Sequence, residues 1–104
     1  MPEFRDIHGR IIRLTEERQS HLETDHPEMR NQTERIAETL LNPDRIVRSR
    51  TDEQVELFYK WYPTTPVTTK FLCIVVKALS QAPFILTAYH TDTVKKGVLL
   101  WEKP

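Results

Sequence analysis

The sequence predicts an α+β domain, with two N-terminal helices packed on one face of a four- to five-stranded antiparallel sheet. Three observations lead there. Residues 27–41 carry apolar side chains at helical spacing. Phe71 to Val76 is an unbroken apolar run rich in β-branched residues, which suits a central strand buried on both faces. Strand-like segments follow one another through short connections after residue 45, and helices segregated from such a meander cover one sheet face and leave the other open.

In chain order, Phe4–Ile7 and Arg10–Leu14 flank His8-Gly9, where a glycine permits a tight hairpin. Thr15 is a good N-cap for a helix opening on Glu16-Glu17, acids placed where the helix dipole favours them. That helix runs to about Thr24 with Leu22 as nearly its only apolar residue, and His26-Pro27 ends it. A second helix is predicted from Pro27 to Leu41, with Met29, Thr33, Ile36, Ala37, Leu40 and Leu41 on one face. Asn42-Pro43 stops it. Ile46–Arg50 and Val55–Tyr62 read as strands joined by a polar turn, and a Thr-rich loop follows between Pro63 and Pro66. Phe84–Thr91 reads as a strand antiparallel to Phe71–Val76, and Val98–Trp101 as a short last strand after a basic turn.

Alternation in Phe84–Thr91 puts Phe84, Leu86 and Ala88 on one face and Ile85, Thr87, Tyr89 and Thr91 on the other. The first set should therefore meet Ile36, Ala37, Leu40 and Leu41, with Thr87 and Tyr89 on the opposite face or its rim. The hydroxyl row is either an open polar surface or ordinary strand composition, and the strand alone favours the latter.

The 104 residues make one domain, and two glycines exclude a Gly-rich phosphate cradle. Single Cys73 lies in the apolar run, has no intramolecular disulfide partner and suits a reducing, cytoplasmic compartment. No apolar run nears the ~20 residues that span a bilayer, so no membrane association is expected, and the charged start MPEFRD is no secretory signal. Fifteen basic and fifteen acidic residues cancel. Their distribution is uneven: Arg45, Arg48, Arg50, Lys60, Lys70 and Lys77 outnumber Asp52, Glu53 and Glu56, so the sheet region is locally positive and suits a polyanion.

Histidine spacing argues against a metal. His21 and His26 are five apart rather than the three or four that align ligands on a helix, and Pro27 intervenes. A Cys73 nucleophile is disfavoured by its apolar setting. What survives is acid–base chemistry by histidine supported by cations and hydroxyls, a set sufficient for metal-free RNA cleavage in which the 2′-hydroxyl is the nucleophile. No cofactor is required.

The blocks LTEERQSHLETDHPEM (Leu14–Met29), IAETLLNPDRI (Ile36–Ile46), ELFYKWY (Glu56–Tyr62), KFLCIVVK (Lys70–Lys77), FILTAYHTD (Phe84–Asp92) and KKGVLLW (Lys95–Trp101) occur in that order. Together they resemble the phage-associated branch of the barnase–EndoU–colicin–RelE (BECR) nuclease superfamily. The resemblance implies two N-terminal helices before a four-stranded antiparallel sheet. It also implies a metal-independent ribonuclease, toxin of a toxin–antitoxin or phage-derived system, with RNA and an antitoxin protein as partners. Carried over by position, His21, His26, Lys60, Thr87 and Tyr89 are the catalytic candidates, and Arg50, Lys77 and Thr91 the substrate-binding ones. Asp25 departs from the pattern, standing where a basic residue is expected. His21 ranks above His26, which Pro27 holds beside Asp25. The alternative is a non-catalytic RNA- or protein-binding domain of the same fold.

Overall fold

Gly9, at φ 83°, closes the turn between strands β1 (Glu3–Arg5) and β2 (Ile11–Arg13), which pair antiparallel with Phe4 opposite Ile12. The computed structural model describes residues 2–66 and 71–104. The end of the Thr-rich loop, residues 67–70 including the basic Lys70, lies outside the described residues.

Helix α1 (Glu16–Asp25) starts where Thr15 Oγ1 accepts the Arg18 N–H at 3.2 Å, the N-cap its sequence predicts. Pro27 removes the next helical donor, and Pro27–Met29 form one 3₁₀ turn. The predicted second helix over 27–41 is shorter than expected. Arg30 is extended and Asn31 sits at φ 61°, so helix α2 spans only Thr33–Leu41. Asn tolerates the left-handed region, and here it interrupts the helical path that apolar spacing alone suggests. Strands β3 (Arg45–Arg48), β4 (Val55–Trp61), β5 (Phe71–Lys77), β6 (Phe84–Thr91) and β7 (Val98–Glu102) follow.

The expected fold of two helices on a four- to five-stranded antiparallel sheet is overturned. One seven-stranded sheet, ordered β1-β2-β6-β5-β4-β3-β7, curls into a half-barrel that carries both α-helices. It is mixed, because β2 meets β6 in parallel at Arg13–Phe84. The N-terminal hairpin thus extends one edge of the meander instead of preceding it. At the other edge, β7 leaves its sequence neighbour β6 and pairs with β3. Gly97 makes that return possible: a Cβ there would collide with the Arg48 carbonyl oxygen and lie 2.7 Å from Val47 Cγ1.

The main core joins Leu22, Met29, Ile36 and Leu40 of the helical layer to Ile46, Phe58, Leu72, Ile74, Val76, Ile85 and Ala88 of the sheet. Leu41, expected on this face, is exposed. Phe84 and Leu86, also expected here, are not in it. A bulge between Val75 and Val76 pairs Val76 with Ile85 but Val75 with Thr87. The extra residue in β6 inverts the alternation, so Ile85 turns toward the helices and Leu86 away.

The far face is not open either. Val47, Val55, Leu57, Tyr59 and Cys73 form a second buried cluster there, with Phe71, Val75, Leu86, Tyr89 and Val94 packed against it. Val94 belongs to the β6–β7 connection, which folds back over the sheet. Fully burying a side chain of this size is worth about 1.5–3 kcal/mol, and both sheet faces contribute.

Candidate functional site

The C-terminal end of α1 brings His26 to the rim of β6. Its N–H donates to the Leu22 carbonyl at 2.8 Å and its own carbonyl accepts the Met29 N–H at 2.9 Å. With Pro27 following, the backbone carrying the imidazole is held on both sides. The His26 ring centroid is 5.6 Å from that of Tyr89. Its Nδ1 lies 3.9 Å from Glu28 Oε2, and its side chain is 34% exposed. The Lys95 ammonium lies 5.8 Å from the centre of the same Tyr89 ring. A half-exposed imidazole and an ammonium thus lie near one aromatic ring, with a carboxylate 3.9 Å from the imidazole.

Beneath them, the Cys73 thiol lies beside the Tyr59 and Tyr89 phenols. Burial pushes the thiol up to about 11, so it is not a thiolate nucleophile near neutral pH. Burial, then Cys73, pushes the Tyr89 phenol up as well. The Tyr89 hydroxyl is buried against the Cys73 thiol. It therefore cannot donate to a surface phosphate, and Tyr89 serves the site through its ring.

The other sequence-derived candidates scatter. His21 is exposed on α1. Lys60 is on the α2 side of the sheet, where its ammonium donates to the Asn42 carbonyl at 2.9 Å and satisfies the end of α2. Thr87 is half-buried opposite Val75. Thr91 shares the far face, but its hydroxyl is engaged with Thr93, donating to the carbonyl and accepting the N–H, both at 3.2 Å. Arg50 is exposed in the β3–β4 turn, and Lys77 pairs with Asp52 at 2.7 Å. Cys73 is opposite Tyr89, and Lys77 is four residues further along β5, about 13 Å away. Of the eight candidates, His26 and Tyr89 meet directly, and Thr87 and Thr91 share the Tyr89 face.

Glu28 and Lys95 were not candidates from sequence. Glu28 follows the His26-Pro27 stop by one residue, a spacing that returns a side chain toward the histidine through a single 3₁₀ turn. Lys95 reaches the site only because the basic turn folds back over β6, a non-local event. Among the described residues, no group of three or more His, Cys, Asp or Glu side chains is placed to hold a metal ion, and no helix is long and apolar enough to cross a membrane. Comparison with protein-family models, curated proteins and solved structures finds no match to this chain.

Proposed function

We propose that this chain is a metal-independent ribonuclease, with His26 moving the proton and Lys95 holding the phosphate. One observation carries the reading: a backbone-locked, half-exposed imidazole at a tyrosine ring, with Glu28 3.9 Å from its Nδ1 and Lys95 at the same ring. An imidazole can take or give a proton in such a reaction, and the Glu28 carboxylate stands near this one. In the reaction, the 2′-hydroxyl oxygen bonds to the adjacent phosphorus and loses its proton to a base. The P–O5′ bond breaks, and the leaving oxygen takes a proton. The products are a 2′,3′-cyclic phosphate and a 5′-hydroxyl. The ammonium of Lys95 offsets charge developing on the phosphoryl oxygens.

The Leu14–Met29 block, with its resemblance to phage-associated nucleases, supports the same chemistry and extends the proposal to a toxin held by an antitoxin protein. Buried, unpaired Cys73 suits a reducing, cytoplasmic setting. In this reading His26 ranks above His21. The alternative, a binding domain without catalysis, draws support from the net charge of zero and from the far face being closed by Val94.

The test is incubation of purified protein with RNA in excess chelator. Cleavage should leave cyclic phosphate ends and spare DNA, which lacks the nucleophile. His26→Ala should lower the rate roughly 10²–10⁴-fold, and His21→Ala should leave it within a few-fold. Equal cleavage by wild type and His26→Ala sinks the assignment, and no cleavage at all favours the binding domain.

A further inference from the structure

A cavity of about 400 Å³ opens between the start of α1 and the beginning of β6, lined by Arg13, Thr15, Glu17, Arg18, Phe84 and Leu86. Its chemistry is unbalanced. Arg13 Nε is buried and has no acceptor among the described residues. Its Nη2 reaches the Ala82 carbonyl only at 3.5 Å, beyond the ordinary range of such bonds. Among the described residues Arg18 has one carboxylate within reach, Glu17 at 3.9 Å, and that side chain is 79% exposed. An anion between the two arginines would gain charge-assisted hydrogen bonds from guanidiniums that now lack a strong acceptor. The first amides of α1 add a field of the same sign. Beside the charges, Phe84 and Leu86 supply an apolar wall, because the β6 bulge turns Leu86 away from the main core.

We propose that this cavity is a nucleotide subsite, taking a phosphate on Arg13 and Arg18 and the attached base against Phe84 and Leu86. It rests on the ribonuclease reading for its place in the reaction, and it adds which part of the RNA is gripped. The ten residues of α1 separate the cavity from His26, about 15 Å along the helix axis. The phosphate held here is therefore not the one that is cut. A strand anchored in the cavity runs beside α1, past exposed His21, to reach His26. Glu17 also lines the cavity, and a phosphate bound on Arg18 has to displace its exposed carboxylate.

Titration of isotope-labelled protein with adenosine 5′-monophosphate tests this, with inorganic phosphate and adenosine as controls. The monophosphate should shift the amides of Glu16, Glu17, Arg18 and Leu86. Arg13→Gln and Arg18→Gln should each weaken it about tenfold or more, as loss of a charged hydrogen bond requires. Arg18 is on the surface of α1, so its variant keeps the test valid if Arg13→Gln fails to fold. In cleavage assays Arg18→Gln should raise KM for an octanucleotide with kcat little changed, and leave a dinucleotide, too short to reach the cavity, unaffected. Shifts centred elsewhere, or unchanged affinity in Arg18→Gln, overturn the subsite. Equal affinity for inorganic phosphate and the monophosphate overturns the nucleotide assignment. Monophosphate binding at the cavity in a protein that cleaves nothing supports the subsite and refutes the ribonuclease. Cleavage through His26 without binding at the cavity does the reverse.

Discussion

The backbone N–H of Lys95 donates to the Tyr59 hydroxyl at 3.0 Å, tying the β6–β7 connection to the middle of the sheet. This contact closes the second apolar cluster and sets the chain position from which Lys95 reaches the Tyr89 ring. Tyr59→Phe keeps the packing and removes only the hydroxyl, which accepts from Lys95 and faces the Cys73 thiol. It should cost about 1 kcal/mol in urea denaturation and speed amide exchange at Lys95 more than in β5. Unaltered protection at Lys95 would show that Val94 packing alone holds the segment.

Arg10 links three places in the chain. Its Nε donates to Asp6 Oδ2 at 2.7 Å and its Nη2 to Glu56 Oε1 at 2.7 Å. Asp6 is only 1% exposed, and its other oxygen accepts the His8 and Arg10 backbone N–H groups. Arg10→Met retains the aliphatic stem but leaves a buried carboxylate without its cation. Stability should fall by about 3 kcal/mol. Adding Asp6→Asn should recover part of that loss, giving a coupling measurable in a double-mutant cycle. Strict additivity would refute the coupling.

His90 is buried on the helix side of β6, and neither ring nitrogen has a hydrogen-bond partner among the described residues. Burial pushes its imidazole below the ordinary value, with Glu28 opposing and Arg35 reinforcing. The unfolded chain therefore takes up a proton near pH 6.5 that the folded chain refuses. Stability should fall as pH drops from 7.5 through that value, and level off below the folded-state value. His90→Leu should remove this component. Denaturation curves with the same pH dependence in both proteins between pH 5 and 7.5 would exclude His90 as the source.

Local signals in the sequence were reliable where one segment decides the outcome. Thr15 and Pro27 bound α1, and Phe84–Thr91 is a strand over the predicted residues. What escaped is set between distant segments. The bulge at Val75–Val76 arises from matching β5 to β6 and reverses Leu86 without any glycine or proline to signal it. The pairing of β7 with β3 depends on the close approach at Gly97, and the parallel junction of β2 with β6 joins residues 71 positions apart. The candidate site divides the same way. His26 and Tyr89 stand out by residue type, whereas Lys95 enters through a fold-back and Lys60 is diverted to cap α2.

The strand order has a consequence for synthesis. The β1–β2 hairpin joins the rest of the sheet only at Phe84, and α1 packs on β6, so Ile12 and Leu22 complete their burial only after β6 has been made. Pairings this distant are slow to form, and they leave apolar strand edges uncovered meanwhile. A chain stalled before residue 84 would present β5, apolar on both faces, with one edge bare. Because His26 meets Tyr89 only after β6 docks, the pair cannot form until the chain has been made through β6.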